Sequence, residues 1–290
     1  MTAIRGRRWH KATWGAAAIT SIALLAGCTG GAEAEPEPQE TPVEEPAPAG
    51  ASFVKREVSD GRTDFIVVEN PNGGATLSFA ADSGIELLTV EDGGYELAFR
   101  DMNDNGALDP WEDWRLDAAV RAADLVEQLT VEQISGLMPF SGHTNSDDLM
   151  TDQHREWIGD NHMRFILNAG DSYVEPNVQW NNQMQAFAES VRSEAQPLVP
   201  VSIASDPRST AGAAIYDADG EISGWPGNLG LAATFDIQYM RNFATMASAE
   251  YRALGITTAL SPQVDLATEP RWIRNEGTVG EDLALSLIHI

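Results

Sequence analysis

Cysteine and lysine are nearly absent from this 290-residue sequence, which has one cysteine, Cys28, and two lysines, Lys11 and Lys55. A single cysteine excludes a disulfide within the chain. Basic charge of any kind is scarce, with 18 Lys and Arg against 44 Asp and Glu and a formal charge of −26. That excess repels phosphate backbones and anionic headgroups, so no nucleic-acid partner is expected. The lysine shortage itself reads equally as a salt-adapted surface or as a coding bias. Long apolar runs are also missing: the one candidate, Trp14 to Gly27, is too short for a comfortable membrane span. The composition is 43% apolar, enough to bury a sizeable core in one large domain or two small ones.

The beginning of the chain speaks about location. A basic start, a short apolar run and small residues ahead of the cysteine predict a lipoprotein signal peptide over 1–27. "LLAGC" resembles a bacterial lipobox, in which Cys28 is lipidated and becomes the mature N-terminus. The alternative is an ordinary secretory signal with an incidental cysteine. Residues 28–51 include "GAEAEPEPQETPVEEPAPAG", whose Pro and Glu content and lack of large apolar side chains predict an extended tether. The expectation is an exported protein, lipid-anchored to the bacterial cell envelope at its periplasmic or extracellular face.

Residues 52–100 predict a small β-rich segment, with "DFIVVEN", "ATLSFA" and "IELLTV…YELAF" separated by "NPNGG" and "EDGG" turns. "RLDAAVRAADLVEQL" predicts a helix. "TVEQ" at 130–133 fits a capping box that starts a second helix and turns Ile134, Leu137 and Met138 inward. Beyond it the pattern alternates: strand "RFILN"; helix "NVQWNNQMQAFAESVRSEA" with Trp180, Met184, Phe187 and Val191 on one face; strand "PLVPVSIAS"; a helix ended by Gly255; strand "ITTALSP". Strands and helices in alternation, with continuous apolar runs in the strands, predict an α/β fold with a parallel sheet. The connection from Asp206 to about Thr234 is far longer than an ordinary strand-to-helix loop.

"DMNDNGALDPWE", residues 101–112, matches the calcium-loop pattern at each constrained position. Oxygen donors from Asp101, Asn103, Asn105 and Asp109, the Ala107 carbonyl and a bidentate Glu112 would wrap one Ca2+ ion. Gly106 would supply the sharp turn, and Leu108 would face the core. A strand-like segment precedes the loop where an EF-hand has a helix, and an ion-free Asx-rich turn is the competing reading. In either case the expected role is structural, joining the β-rich segment to the first helix, with no cofactor for catalysis.

Several segments taken together resemble glycoside hydrolase family 3, in its secreted β-glucosidase and exo-glucanase branch: "DMNDNGALDPWEDWRL", "AADLVEQLTVEQISGLM", "VSIASDPRST", "WPGNLGLAATFD", "AEYRALGI", and "SPQVDLATEPRW" through "GTVGED". The resemblance implies that residues 113–284 are the N-terminal part of a (β/α)8 TIM-type barrel, truncated and preceded by the small β-rich segment. It implies a β-glucoside or β-glucan oligosaccharide as partner and a retaining mechanism using two carboxylates. It also implies that Asp206 and Arg274 grip sugar hydroxyls. A carboxylate can accept two hydroxyl protons and a guanidinium fork can donate to two oxygens in fixed geometry, so the residue types suit that role. Arg271 is expected to pair with a nearby acid such as Asp265 or Glu269, and Trp272 to pack rather than carry sugar. Gly277 departs from the family pattern, in which many relatives have glutamate.

The family's nucleophile and acid/base motifs do not occur in the sequence, and no catalytic residue is assigned; Glu276, Glu281 and Asp282 match loop positions. The last residues, 285–290 "LSLIHI", read as the in-frame translation of a transposon-type sequencing adapter, and so predict a gene fragment ending in an artefact. The competing functions are a non-catalytic carbohydrate- or calcium-binding surface lipoprotein and an N-acetyl-β-hexosaminidase of the same fold. His143, His154 and His162 read as surface or ordinary core histidines.

Overall fold

The computed structural model describes residues 50–142, 144, 149–169, 173–205, 221–260, 263 and 265–282. The signal segment, Cys28, the tether up to residue 49, Asp206, His143 and the final residues 283–290 lie outside the described residues. Among the described residues no helix is long and apolar enough to cross a membrane.

The β-rich segment forms two antiparallel units. β1 (Val54–Ser59), β2 (Asp64–Glu69) and β3 (Thr76–Ala80) make a three-stranded meander in which Arg56 lies opposite Val67 and Ile66 opposite Phe79. β4 (Leu87–Asp92) and β5 (Tyr95–Arg100) form a hairpin closed by Gly93 and Gly94. Both glycines have positive φ, +59° and +84°, the backbone that a tight two-residue hairpin of the favoured twist requires. β1 was not anticipated in the sequence. All six of its residues are exposed, so it shows no apolar face to mark it.

α1 (Ala118–Gln128) starts at Asp117, whose side chain accepts from the Ala119 amide. α2 (Val131–Gly136) has the expected capping box: Thr130 Oγ1 accepts from the Gln133 amide at 3.2 Å, and Gln133 Oε1 from the Thr130 amide at 2.8 Å. Ile134 and Leu137 are half-buried, but Met138 is 79% exposed, against expectation. The helix stops at Gly136, where a Cβ would lie 2.5 Å from the carbonyl oxygens of Asn161 and His162. Met138 therefore falls beyond the helix and leaves its apolar stripe.

α3 (Asp152–Arg155) runs into a π-turn (Glu156–Asp160) and leads to β6 (Phe165–Leu167). Next come α4 (Val174–Ser190), β7 (Ser202–Ser205), the short α5 (Asn228–Ala232), α6 (Ile237–Ala253), β8 (Thr258–Ala259) and a 3-10 turn (Asn275–Gly277). Gly255, just past α6, sits at φ +84°, as a helix-ending glycine should. β6, β7 and β8 pair in parallel in chain order, and Phe140 and Thr144 bridge in parallel to Phe165 and Asn168 on the other side of β6. Neighbouring parallel strands in sequence order, joined by helices, are the winding of a (β/α) barrel. The fold is α/β, with part of such a barrel preceded by antiparallel strands.

One core joins these layers. Val68, Phe79, Ala98 and Met102 from the β-rich side pack in the same cluster as Ile166, Trp180, Met184, Ile203 and Leu254. On α4, Trp180 and Met184 are fully buried, whereas Phe187 and Val191 are only half-buried. The buried stripe instead runs through Asn177, Asn181 and Ala188. The outer side of α4 holds the meander. Gln179 accepts from Arg62 Nε at 2.7 Å and donates to the Asp60 carbonyl, and Glu189 accepts from the Ala80 amide.

Candidate functional site

The C-terminal ends of the parallel strands are fixed by a buried polar lattice. Asn168 follows β6 and is fully buried; its Nδ2 donates to Asn177 Oδ1 at 3.2 Å and to Asn181 Oδ1 at 3.1 Å. Asn181 passes the chain on, donating to the Leu254 carbonyl at the end of α6. Ser205, the last residue of β7 and also fully buried, donates from Oγ to the Asn168 carbonyl at 2.9 Å. A buried polar group left unmatched costs about 1–3 kcal/mol, so these mutual bonds hold the strand ends in one register. Sequence reasoning missed all four residues. The available signal was two asparagines, Asn177 and Asn181, four apart on the buried side of an otherwise apolar helix face.

Two long connections leave this end. Residue 206 follows Ser205 directly, and the segment 263–282 follows β8, whose Ala259 lies opposite Ser205. These connections clasp each other. Val279 is buried with Leu231, Ala232 and Met240 of the other connection and its helices, with Trp225, Tyr239 and Phe243 around them. Asn228 Nδ2 also donates to the Gly277 carbonyl at 2.9 Å. α5, unforeseen in the sequence because it is little more than one turn, supplies half of this clasp. At Gly277 a Cβ would lie 2.5 Å from Gln263 Oε1, the movable end of a flexible side chain, so the space there does not by itself demand glycine.

Arg274 precedes the 3-10 turn, is exposed, and has no side-chain hydrogen bond or ion pair among the described residues. Asp206, its expected companion, lies outside them. Arg271 pairs with Glu269, one of the two acids expected for it, through two bonds of 2.8 Å, and the arginine holds the Glu269 carboxyl down at about 2. Both side chains are well exposed. Trp272 is half-buried.

The loop 101–112 is a second candidate, far from charge-neutral. Asp101, Asn103 and Glu112 are buried, while Asn105 and Ala107 are exposed and Asp109 is intermediate. Gly106 has φ +73° and its amide donates to Asp101 Oδ2 at 2.8 Å. Asn103 Nδ2 and Asn105 Nδ2 both donate to Asp109 Oδ2, at 2.8 and 2.9 Å. Glu112 accepts from the amides of Met102 and Asp109, at 2.6 and 3.1 Å. Burial pushes the Glu112 carboxyl up to about 7; the two amides oppose this, and the charges of Asp101 and Asp109 add to it. Among the described residues no three His, Cys, Asp or Glu side chains are gathered as a metal-holding group. The all-oxygen donor set nevertheless fits a hard cation such as Ca2+ in chemical type. Leu108 is half-buried, and Met102 and Trp111 are the residues of this stretch that enter the core. Trp111 also ties the loop to α1, accepting from Arg121 Nε through its carbonyl at 3.0 Å. The Met102 carbonyl accepts from the Leu198 amide, joining the loop to the approach to β7.

Comparison with known proteins adds to this geometry. The family model described as "Glycosyl hydrolase family 3 N terminal domain" matches residues 123–288. The sequence is 41% identical over 209 residues to a "Periplasmic beta-glucosidase/beta-xylosidase" of Dickeya chrysanthemi, covering 69% of this chain and 31% of that protein. It is 37% identical over 172 residues to "Beta-glucosidase C" of Emericella nidulans, covering 57% of this chain and 27% of that one. The chain thus spans about a third of the length of these relatives. A solved glycosyl hydrolase of the GH3 family from Mycobacterium smegmatis superposes with a TM-score of 0.43 at 17% identity, over 56% of this chain and 44% of that one.

Proposed function

The chain belongs to glycosyl hydrolase family 3, and from that premise we propose that it is the sugar-gripping part of an exported, lipid-anchored β-glucosidase. The substrate is a β-glucoside or β-glucan oligosaccharide that loses its terminal β-linked glucose. Asp206 accepts hydroxyl protons of that sugar and Arg274 donates to its oxygens. The observation that carries the reading is the parallel pairing of Ser205 with Ala259, from which both connections depart at one end. The clasp of Val279 on Leu231 and the exposed Arg274, which has no side-chain partner among the described residues, support it further.

Hydrolysis with retention needs a nucleophilic carboxylate and an acid/base carboxyl roughly 5 Å apart. No carboxylate among these 290 residues is assigned to either task, so the chain alone is expected to be inactive. The test is to express the uninterrupted genomic reading frame beside the 290-residue chain and assay both on p-nitrophenyl β-glucoside, β-xyloside and N-acetyl-β-glucosaminide. Release from the glucoside by the longer product alone supports the proposal. Release from the N-acetylglucosaminide alone would replace it with a hexosaminidase, and no release from any substrate would leave a binding lipoprotein. For the anchor, metabolic labelling with a palmitate analogue should mark the wild type and not Cys28→Ser.

A structural Ca2+ in the loop 101–112 is proposed alongside, held by Asp101, Asn103, Asn105, Asp109, the Ala107 carbonyl and Glu112. What favours it is a buried carboxylate, Glu112, that two neighbouring carboxylates load with further negative charge. Calorimetric titration with calcium should give a binding isotherm for the wild type and a flat trace for Glu112→Ala; two flat traces would reject the site.

A further inference from the structure

Among the described residues two helices begin with a capping box, and the two boxes differ in one chemical respect. At α2, Gln133 Oε1 accepts from the Thr130 amide at 2.8 Å. At α3 a histidine takes the place of that glutamine: Thr151 Oγ1 accepts from the His154 amide at 3.3 Å, and His154 Nδ1 accepts from the Thr151 amide at 3.1 Å. A backbone amide can only donate, so Nδ1 is bare and the hydrogen of the neutral ring sits on Nε2. Nε2 lies 2.8 Å from Thr144 Oγ1 and donates to it. Thr144 in turn is fixed against β6, its amide donating to the Leu167 carbonyl at 3.1 Å and its carbonyl accepting from the Ala169 amide at 2.8 Å. It therefore lies beside Asn168, where the buried polar lattice begins. One imidazole, 2% exposed, thus ties the first turn of α3 to the end of the parallel sheet.

A glutamine in this position is indifferent to pH, and a histidine is not. A proton can enter the ring only at Nδ1, where it would meet the Thr151 N–H, so charging His154 breaks the cap and leaves two donors opposed. The charge would also stand out of water. Among the described residues, Asp152 and Arg155 on α3, Glu156 and Asp160 on the π-turn and Glu175 on α4 are exposed, and the buried Glu189 is bound to the Ala80 amide. None of them counters the ring: burial is the one cause that acts on it, and it lowers the pKa below 6.5. The strain is relieved when the ring turns out to solvent, and the bond to Thr144 goes with it. We propose that His154 is an acid-operated latch, which fastens α3 to the strand end at Thr144 while neutral and releases both when protonated. The latch does not depend on the sugar reading. Because the folded pKa lies below the unfolded one, its contribution is complete above about pH 6.5 and is lost as pH falls through the folded value.

Glu112, with its raised pKa, drives overall stability the other way over much of this range, so the test needs a local readout. Hydrogen exchange of the full chain, resolved by amide and corrected for the intrinsic effect of pH, supplies one. Between pH 7 and pH 5 the Thr144 and Ala169 amides should lose roughly 10-fold in protection, while those of β2, central in the meander, keep theirs. His154→Gln can cap as Gln133 does but cannot titrate, and should hold its protection constant. The same loss in variant and wild type would overturn the latch. So would an equal loss in β2, which would mean that acid weakens the whole fold. If the variant does not fold, nitrogen NMR of the wild-type imidazole decides. The Nε2–H tautomer with a pKa below 6.5 supports the proposal, and the Nδ1–H tautomer, or a pKa of 6.5 or above, overturns it.

Discussion

The loops 101–112 and 263–282 are both rich in charged and amide side chains and bury different parts of themselves. In the first, Asp101 and Glu112 are buried and their oxygens are taken up by backbone amides of the loop itself. In the second, Arg271, Arg274, Glu269, Glu276 and Asp282 are exposed, and what is buried is the apolar hinge at Val279. The first loop spends its polar atoms on its own shape. The second combines packing with side-chain bonds of its own, such as Arg271 to Glu269 and Asn275 Nδ2 to the Glu269 carbonyl, and Arg274 has no side-chain partner among the described residues. A charged side chain that a loop's own bonds and packing do not use is the candidate for ligand binding.

The largest test of this contrast is Arg274→Ala in the product of the uninterrupted reading frame that the proposed function would assay. A hydrogen bond from a charged group contributes about 1.5–3 kcal/mol, so removing a fork proposed to make two should lower kcat/KM on an aryl β-glucoside by about 100-fold or more. Because the side chain has no partner among the described residues, the midpoint of thermal unfolding should hardly move. A variant that instead unfolds early, with activity falling only in proportion, would show that the arginine serves the fold.

Next in size is the strand-end lattice. Asn181→Leu removes one of the two acceptors of Asn168 Nδ2, which keeps its bond to Asn177, and the donor to the Leu254 carbonyl, which stays buried. It should cost about 1–3 kcal/mol in denaturant unfolding, chiefly from that carbonyl. A loss below about 1 kcal/mol would mean that water reaches the lattice, and that the strand ends are set by packing.

The acidic loop makes a prediction about pH. The folded-state pKa of Glu112 is raised from 4.5 to about 7, so the folded protein holds this proton more tightly than the unfolded chain does. Its contribution favours folding fully below about pH 4.5 and is lost as pH rises through about 7. In chelator, Glu112→Gln should flatten stability over that window relative to wild type. Calcium should reverse the wild-type slope, because the ion binds the ionised form. Identical pH profiles for wild type and variant would show that the carboxyl is better solvated than its burial implies.

The sequence foretold these regions unequally, and for physical reasons. Spacing alone marked the loop 101–112, because a shape built from a chain's own side-chain bonds needs particular residues at particular positions. The capping box at Thr130 and the strands around Ile166 and Ile203 were legible for the same local reason. β1 was not, since a strand exposed along its whole length has no apolar alternation. Met138 was misplaced because a close backbone approach at Gly136, invisible in a periodicity, ends α2 early. Arg274 was singled out only by resemblance: nothing local distinguishes it from Arg271. The lattice at Asn168 and Ser205 escaped because it joins residues 37 apart in sequence that meet only once the parallel strands have formed.

Those two neighbouring arginines supply the smallest and most discriminating experiment. Arg271 already has a bidentate acid in Glu269, but both groups stand in solvent, where an ion pair gains little over its hydration. Arg271→Ala should therefore leave the unfolding midpoint within error and kcat/KM within about twofold of wild type, in contrast to Arg274→Ala. Its one clear effect should be on Glu269, whose carboxyl titrates near 2 while paired and should return towards the ordinary glutamate range in the variant, as read by carbon-detected NMR. If Arg271→Ala lost as much activity as Arg274→Ala, pairing within the loop would have failed as a guide to which arginine the proposed sugar site uses, and that site would have to include both guanidiniums.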